Sequence, residues 1–271
     1  MEAASLIRRI LSLLNYKKHK FGWFGNFKSW EDALKVCTGY NHELIFEKVK
    51  NSLLKVKNGE AVYERDSVLF NKIEYSFPVL SSLLWIATLN NNSLNIIDYG
   101  GSLGSTYFQN RNFIHQLESL QWNIVEQPQF VDLGRKEFES DNLKFFYSID
   151  DCIQSYNKKP DVILMSSVIQ YLKNPYEVVR QMINDKYTFL LFDRTSFLNE
   201  NNDRLTVQHV PPSIYEASYP CWFLNEKKFK ALFEGKYKLL FEFESSVPGE
   251  NMLMIDGRYD GKDKGFLFQC M

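Results

Sequence analysis

The sequence predicts an α/β protein in which a mainly parallel sheet over residues 91–271 follows a mainly helical appendage over residues 1–90. From Leu94 onward, short apolar segments alternate with amphipathic ones, and this order is typical of strand–helix–strand units with parallel strands. Residues 161–165 are almost continuously apolar, as in strands that are buried on both faces. Before Leu94 the apolar residues recur at helical spacing, which separates the appendage from the sheet.

The composition predicts a large core without a strong electrostatic preference. Of 271 residues, 45% are hydrophobic and 15% aromatic, and the net charge of −1 gives no reason to expect nucleic acid as a partner. The four cysteines are scattered without a C-x-x-C pair, which favours reduced thiols. No apolar run is long enough to span a bilayer, and no secretory signal is visible. We therefore expect a cytoplasmic protein.

The appendage is predicted to contain three helices after its first segment. Residues 1–20 form a basic amphipathic pattern, for which we favour docking on the body of the protein over contact with a membrane surface. An aromatic loop is expected over residues 21–27, followed by a helix for which Ser29 is the N-cap. Two further helices are expected over residues 44–56 and 79–89.

The sheet is predicted to contain at least five strands, the first four of which are each followed by a helix. The strands are expected at residues 95–99, 123–126, 144–147, 161–165 and 188–192. The first helix carries Phe113, Leu117 and Leu120 on one face, and the next two span residues 130–139 and 149–156. The helix after the fourth strand has Asn174 as N-cap, Pro175 at its first position and Glu177 completing a capping box.

The last part of the chain predicts one more helix and two more strands. Asn225 is a plausible N-cap for a helix that reaches Phe233. Residues 238–244 and 265–270 have the pattern of strands, with a turn-rich stretch between them.

A glycine turn at the end of the first strand is the most informative motif. The strand ends in Asp98 and opens into Gly100-Gly101-Ser-Leu-Gly104. Such a turn lets a ligand approach the backbone closely. Glu126 ends the next strand, where an acidic side chain can accept hydrogen bonds from both ribose hydroxyls of a nucleoside. Together these features predict a nucleoside cofactor.

The spacing of the glycines disfavours NAD. A dinucleotide fingerprint requires G-x-G-x-x-G, and each alignment on this turn loses a glycine, at Tyr99 or at Ser102. No G-K-[ST] sequence occurs, so a P-loop is excluded as well.

The turn resembles motif I of the class I S-adenosylmethionine-dependent methyltransferases. Further segments, among them Gly22-Trp-Phe-Gly-Asn-Phe, Gly39-Tyr40, Val125-Glu-Gln-Pro128, Ser166-Ser-Val-Ile-Gln-Tyr-Leu172 and Thr206-Val-Gln-His-Val-Pro211, resemble a group of putative bacterial methyltransferases that often accompany surface-polysaccharide genes. The resemblance covers most of residues 20–245. It implies a Rossmann-like, seven-stranded, mostly parallel sheet, S-adenosyl-L-methionine as cofactor, and a glycan or its precursor as acceptor.

The candidate site residues follow the carboxyl ends of the strands, where open α/β sheets bind ligands. For the cofactor they are Asp98, Gly100, Gly101, Gly104, Glu126, Ser148, Asp150, Ser166 and Ser167. For catalysis we weigh His209, Asp193 and Tyr171, because a hydroxyl acceptor must lose a proton during methyl transfer. His209 is expected in a loop over the mouth of the pocket. Tyr215, Tyr219, Trp222 and Phe223 form an aromatic group for which we favour packing in the core over a surface on which a sugar ring stacks.

The histidines and carboxylates are dispersed, so we expect no metal. The leading hypothesis is a methyltransferase that acts on an oxygen of a small or carbohydrate-linked acceptor and releases S-adenosyl-L-homocysteine. A non-catalytic domain that keeps the fold is the alternative from another class, and an NAD-linked oxidoreductase is the third. The sequence predicts neither the oligomeric state nor the identity of the acceptor.

Overall fold

The computed structural model describes residues 20–37, 42–198, 200–212 and 214–271. The strands are β1 (Gly22–Phe27), β2 (Tyr63–Arg65), β3 (Val68–Phe70), β4 (Ser93–Tyr99), β5 (Ser119–Val125), β6 (Leu143–Phe146), β7 (Val162–Ser166), β8 (Phe189–Leu198), β9 (Arg204–Val210), β10 (Ala217–Asn225), β11 (Tyr237–Glu244), β12 (Leu253–Ile255) and β13 (Arg258–Cys270). The predicted amphipathic segment, apart from Lys20, and the pair Gly39-Tyr40 lie outside the described residues.

The helices lie mainly between the parallel strands. They are α1 (Trp30–Leu34), α2 (His42–Lys57), α3 (Phe77–Leu89), α4 (Ser105–Ile114), α5 (Pro128–Glu137), α6 (Ile149–Tyr156), α7 (Pro175–Asn184) and α8 (Glu226–Ala231), with a 3₁₀ turn at Ile169–Tyr171. Among the helices of the described ranges, none combines the length and the apolar character that crossing a bilayer requires.

Eleven strands form one mixed sheet, so the predicted α/β class is confirmed, but the sheet is larger and more mixed than the predicted seven-stranded, mostly parallel one. The central strand β4 has β5 and β6 on one side and β7 and β8 on the other, all parallel. β13 pairs antiparallel with β8, and β11 pairs antiparallel with β13. The five parallel strands therefore end at the same edge, the edge at which α/β sheets bind ligands.

Both faces of the parallel sheet are buried. Ile96 belongs to a core with Leu83 of α3 and Tyr107 of α4, whereas the next residue, Ile97, belongs to a core with Val179 of α7. Each fully buried aliphatic or aromatic side chain contributes about 1.5–3 kcal/mol to stability. The two cores fix the parallel strands, and with them the positions of the residues that follow each strand.

The second half of β8 leads into a ring of strands that the sequence did not predict. β8 continues to Leu198 and there pairs with β10 on one side and β13 on the other. The order β8, β10, β9, β1, β12, β13 returns to β8, so six strands close a ring. β1 and β12 share one register pair, Trp23 with Ile255, and Asp256 supports it by accepting hydrogen bonds from the Gly25 N–H (3.0 Å) and from Arg204.

The bend that separates the parallel sheet from the ring lies at Arg194. Asp193 is the last residue of β8 that pairs with β7, and Arg194 has a φ of 49°, which is unusual inside a strand. The pairing of β8 with β13 shifts register between Lys264 and Phe266. Gly265 lies in this irregularity, and a Cβ there would approach the Phe192 carbonyl oxygen to 2.7 Å. The bend therefore requires glycine at position 265.

Four predictions about local structure are wrong. Residues 22–27 of the predicted loop over residues 21–27 form strand β1, because they pair with both β9 and β12. His209 lies inside β9 rather than in a loop, since β9 pairs with β1 and β10. Leu120 belongs to β5 and not to the helix before it, because it pairs with Leu94 of β4. The side chain of Asn174 makes no capping hydrogen bond at α7.

Most other predicted elements are confirmed. Ser29 and Asn225 cap α1 and α8 with hydrogen bonds from backbone N–H groups of 3.1 Å and 2.7 Å. α6 has the predicted bounds, and α2 and α3 differ from the prediction by a few residues. The domain boundary near residue 90 stays a prediction, although β1 belongs to the same sheet as the strands after it.

We predict that Gly265→Ala destabilises the protein by about 1–3 kcal/mol, because an added Cβ overlaps backbone that cannot move freely. The free energy of unfolding from urea titration measures the effect. Arg258→Ala, at an exposed position of the same strand, is the control and should change stability by less than about 0.5 kcal/mol. Equal effects of the two substitutions would contradict the role given to Gly265.

Candidate functional site

A large cleft opens at the carboxyl ends of the parallel strands, under the ring. Its volume is about 1670 Å³, and the hairpin β2–β3 contributes to its wall. It is lined by eleven of the twelve predicted site residues: Asp98, Gly100, Gly101, Glu126, Ser148, Asp150, Ser166, Ser167, Tyr171, Asp193 and His209. Gly104 is not among the lining residues. It precedes α4, where its φ of 104° suits glycine.

The glycine turn packs too tightly for side chains. A Cβ at Gly100 would lie 2.6 Å from the Val168 side chain, and one at Gly101 would lie 2.5 Å from the Asp98 carboxyl carbon. Gly100 and Ser102 both have positive φ, at 73° and 55°. The turn therefore presents backbone to the cleft, as close approach of a ligand requires.

Asp98 supports this turn from beneath. Its side chain is 1% exposed, and its Oδ2 accepts a hydrogen bond from Trp122 Nε1 at 3.1 Å. Its Oδ1 has no protein partner. Burial raises the pKa of Asp98 to about 7, because the charged form loses its hydration. Its position below Gly101 makes Asp98 a residue that shapes the turn.

Glu126 lies at the end of β5, beside the glycine turn. Its Oε2 accepts a hydrogen bond from the Gln127 N–H at 2.6 Å. Burial raises the pKa of Glu126, while the backbone N–H groups of Gln127 and Ser102 oppose that rise by stabilising the carboxylate. The carboxylate is thus fixed at the wall of the cleft, where it can accept hydrogen bonds from a ligand over β4 and β5.

Glu64 is a site residue that the sequence analysis missed. It lies in β2, is 2% exposed, and lines the cleft at the beginning of α4. Its Oε2 accepts from Ser105 Oγ at 2.7 Å, and its Oε1 accepts from the Ser67 N–H. Burial raises its pKa to about 7. No motif marks Glu64, because the hairpin precedes the glycine turn by some forty positions and meets it only in the fold.

The residues after β6 have a structural task as well as a place in the cleft. Ser148 Oγ accepts a hydrogen bond from the Asp151 N–H at 3.0 Å and so caps α6. Asp150 lies in the first turn of the same helix, where the helix dipole favours a negative charge. Their predicted contact with a cofactor stays a prediction.

A second group of polar residues lies at the end of β7 and at the bend of β8. Asp193 is 4% exposed, and its Oδ2 accepts from Ser166 Oγ at 2.7 Å. Its Oδ1 accepts no hydrogen bond from the described part of the chain, and burial raises the pKa of the carboxyl group. The Ser167 N–H donates to the Asp193 carbonyl oxygen at 3.0 Å. Asp193 therefore offers an unoccupied carboxyl oxygen in a desolvated part of the cleft.

Tyr171 and His209 come together on the ring side of the cleft. The Tyr171 hydroxyl donates to Gln208 Oε1 at 2.8 Å, and its ring meets the Tyr219 ring edge-on at 5.3 Å. Burial raises the pKa of Tyr171 well above its usual value, so it stays a hydrogen-bond donor. His209 packs edge-on against Phe24 at 5.6 Å, and burial lowers its pKa, which favours the neutral ring.

Arg194 joins three parts of the cleft. It forms a bidentate ion pair with Glu250, in the segment between β11 and β12, with distances of 2.7 to 3.1 Å. The same guanidinium contacts Asp66 Oδ2 in the hairpin at 2.8 Å. A bidentate pair of low exposure is stronger than a surface ion pair. It fixes the hairpin and the β11–β12 segment to the bend in β8.

Within the described ranges, no three His, Cys, Asp or Glu side chains are grouped so that they could hold a metal ion.

Comparison with known proteins gives structural likenesses alone. No family model and no curated protein matches the chain. One similar solved structure is the N-terminal domain of EvdMO1 in the presence of SAH and D-fucose, with 10% sequence identity and a TM-score of 0.49 over 86% of this chain and 98% of that one. Another is the glycopeptide N-methyltransferase MtfA complexed with sinefungin, with 10% identity and a TM-score of 0.43 over 71% of this chain and 93% of that one. A third is magnesium protoporphyrin IX methyltransferase from Synechocystis PCC 6803 with bound SAM, with 10% identity and a TM-score of 0.43 over 71% of this chain and 78% of that one.

At these identities and TM-scores the likenesses do not assign an activity to this chain. Its own residues have to carry any functional conclusion.

We predict that the pH dependence of stability changes in Asp98→Asn. The pKa of this carboxyl group is near 4 in the unfolded chain and about 7 in the fold. The protonated group therefore contributes fully to the free energy of unfolding below about pH 4, and this contribution is lost as the pH rises to about 7. Asparagine cannot ionise, so between these values the variant should lose less stability than the wild type, by at most about 4 kcal/mol.

Urea titrations at several pH values measure the free energy of unfolding of both proteins. Asp141→Asn, at an exposed position, is the control. Parallel curves for Asp98→Asn and the wild type would contradict a protonated Asp98.

Proposed function

We propose that the protein is an S-adenosylmethionine-dependent methyltransferase that methylates an oxygen of a small or carbohydrate-linked acceptor. The observation that carries the proposal is the pairing of the glycine turn with the Glu126 carboxylate at one wall of a cleft that continues to Asp193 and Tyr171. The first two features suit a nucleoside, and the last two suit a hydroxyl that must lose a proton.

The site fits a nucleoside without a pyrophosphate. In dinucleotide sites the pyrophosphate lies at the beginning of the helix after the glycine turn. Here the Glu64 carboxyl group is at that place and accepts a hydrogen bond from Ser105, the first residue of α4. A pyrophosphate at this point would have to displace the Glu64 carboxyl group from its hydrogen bonds with Ser105 and the Ser67 N–H, which would leave buried polar groups unpaired. This argues against NAD and for a cofactor such as S-adenosylmethionine.

Each candidate residue has a task in this proposal. Glu126 accepts hydrogen bonds from the ribose hydroxyls, Gly100 and Gly101 permit close approach, and Ser148 and Asp150 lie toward the adenine. When bound, the cofactor supplies a methyl group on a sulfonium, and its transfer is a displacement that depends mainly on proximity and alignment. The protein contributes by holding the cofactor and the acceptor in one cleft. Gly100 and Gly101 carry no side chains, so the cofactor can lie close to their backbone.

Asp193 is the base that the geometry favours. One of its oxygens accepts a hydrogen bond from Ser166, which fixes the direction of the other, and that second oxygen accepts no hydrogen bond from the described residues. Burial raises the pKa of Asp193, which makes the carboxylate more basic than an exposed aspartate. Tyr171 donates a hydrogen bond to Gln208, so its hydroxyl oxygen can accept one from the acceptor and orient it, while His209 lies on the ring as a neutral polar group.

The carbohydrate nature of the acceptor is supported by the aromatic wall of this half of the cleft. Tyr171, Tyr215 and Tyr219 line it, and the hydroxyls of the last two lie 3.3 Å apart. Sugar rings stack on aromatic faces and bind such hydroxyls. A role in polysaccharide biosynthesis in the cytoplasm agrees with this wall and with the free cysteines of the described chain.

We predict that the protein binds S-adenosylhomocysteine and that Glu126→Ala weakens the binding roughly 10- to 100-fold, as expected for hydrogen bonds to a charged group. Isothermal titration calorimetry measures the affinity, with NAD titrated in parallel. Glu118→Ala, which removes an exposed carboxylate just before the amino end of the same strand, is the matched control. Binding of NAD in preference to S-adenosylhomocysteine would overturn the proposal.

We predict that Asp193→Asn lowers the rate of methyl transfer by about 10²–10⁴-fold, the usual contribution of a general base. The affinity for S-adenosylhomocysteine should stay within a factor of about 3, since Asp193 lies on the acceptor side. Formation of S-adenosylhomocysteine in the presence of neutral glycosides measures the rate. An unchanged rate in Asp193→Asn would show that Asp193 is not the general base, and alignment of cofactor and acceptor would then be the only catalytic contribution in the proposal.

A further inference from the structure

The charged groups that line the cleft are strongly unequal in number. Ten carboxyl side chains and two guanidinium groups line it, together with the neutral His209, and no lysine among the described residues does. Burial raises the pKa of several of these carboxyl groups, so not all of them are charged; what an anion would lack in this cleft is a cationic partner, unless one of the guanidinium groups is available to it. The pairing of the two arginines therefore decides which acceptors can enter.

Both arginines are already neutralised by neighbouring carboxylates. Arg65 Nη1 lies 2.7 Å from Glu74 Oε2, and its guanidinium packs over the Phe70 ring. Arg194 has two carboxylate partners, Glu250 and Asp66. A phosphate group would have to displace these partners and leave buried carboxylates unpaired, which is costly.

Carboxyl groups also lie at the beginnings of the helices that border the cleft. The beginnings of helices are common sites for phosphate because their N–H groups are unpaired. Here Glu64 is at α4, Glu126 accepts from the Gln127 N–H immediately before α5, and Asp150 is in the first turn of α6. These carboxyl groups take the places at which an anionic ligand would bind.

The partners that remain in the acceptor half suit hydroxyl groups. Asp193 Oδ1 is a buried acceptor without a protein partner. Tyr171 and Gln208 form a donor–acceptor pair on the ring side of the cleft, and Tyr219 adds an aromatic edge. This combination of a single acceptor oxygen, neutral polar groups and rings is typical of a site for uncharged hydroxylated molecules.

We propose that the acceptor is a hydroxylated molecule, of the sugar class, whose bound part carries no phosphate, carboxylate or sulfate. The inference rests on the proposed function and narrows it. It excludes nucleotide-activated sugars and sugar phosphates as acceptors for this cleft. Methylation then belongs after a glycosyl-transfer reaction has removed the nucleoside diphosphate from the sugar, or on a sugar that was never activated.

The test is whether the wild-type cleft has an anion site, with pyrophosphate as probe. Calorimetry near neutral pH should show no Arg194-dependent binding with a Kd below about 1 mM. The double variant Asp66→Asn with Glu250→Gln leaves Arg194 without its partners and should bind pyrophosphate at least tenfold more tightly than the wild type. Wild-type binding that is lost in Arg194→Gln or in Arg65→Gln would overturn the proposal.

Methyl transfer to matched acceptors provides the second measurement. Neutral methyl glycosides and the corresponding sugar phosphates are offered in pairs, and the proposal predicts transfer to neutral members alone. Equal or faster transfer to a phosphorylated member would overturn it. S-adenosylhomocysteine affinity is measured for every variant, so a failure of the proposed cofactor is seen separately. If the double variant does not fold, the wild type compared with Arg194→Gln and with Arg65→Gln still decides the question.

Discussion

The bend of β8 at Arg194, opposite Gly265, is the constraint on which the site depends. Up to Asp193 the strand belongs to the parallel sheet, and beyond Arg194 it belongs to the ring. The positive φ of Arg194 is a conformation that costs of order 1–3 kcal/mol, and its ion pairs with Glu250 and Asp66 hold it there. Because the strand bends, the ring lies over the carboxyl ends of the sheet and turns an open edge into a cleft.

Buried carboxyl groups are the second feature that gives the cleft its character. Asp98 and Asp193 each keep one oxygen without a protein partner, and burial raises the pKa of both. Such groups reduce stability unless a ligand satisfies them or they stay protonated. The fold tolerates them next to the glycine turn and at the end of β8, which are the two places where a cofactor and an acceptor would meet.

The sequence predicted the parallel sheet well because its signals are local. Apolar runs, the caps at Ser29 and Asn225, and the glycine turn after Asp98 act within a few residues. The ring could not be predicted, because residues 204–225 form strands by pairing with each other, with the end of β8 and with β1, which is far away in the chain. Glu126 could be identified because it directly follows a predicted strand. Glu64 and the carboxylate partners of Arg194 could not, because they meet their partners only through contacts between distant parts of the chain.

A crystal structure of the protein grown with S-adenosylhomocysteine tests the central claim most directly. The account predicts the nucleoside over β4 and β5, with the ribose hydroxyls on the Glu126 carboxylate, the sulfur open toward Asp193 and Tyr171, and Glu64 still bonded to Ser105. A ligand bound elsewhere in the cleft, with Glu126 making no contact to it, would contradict the account.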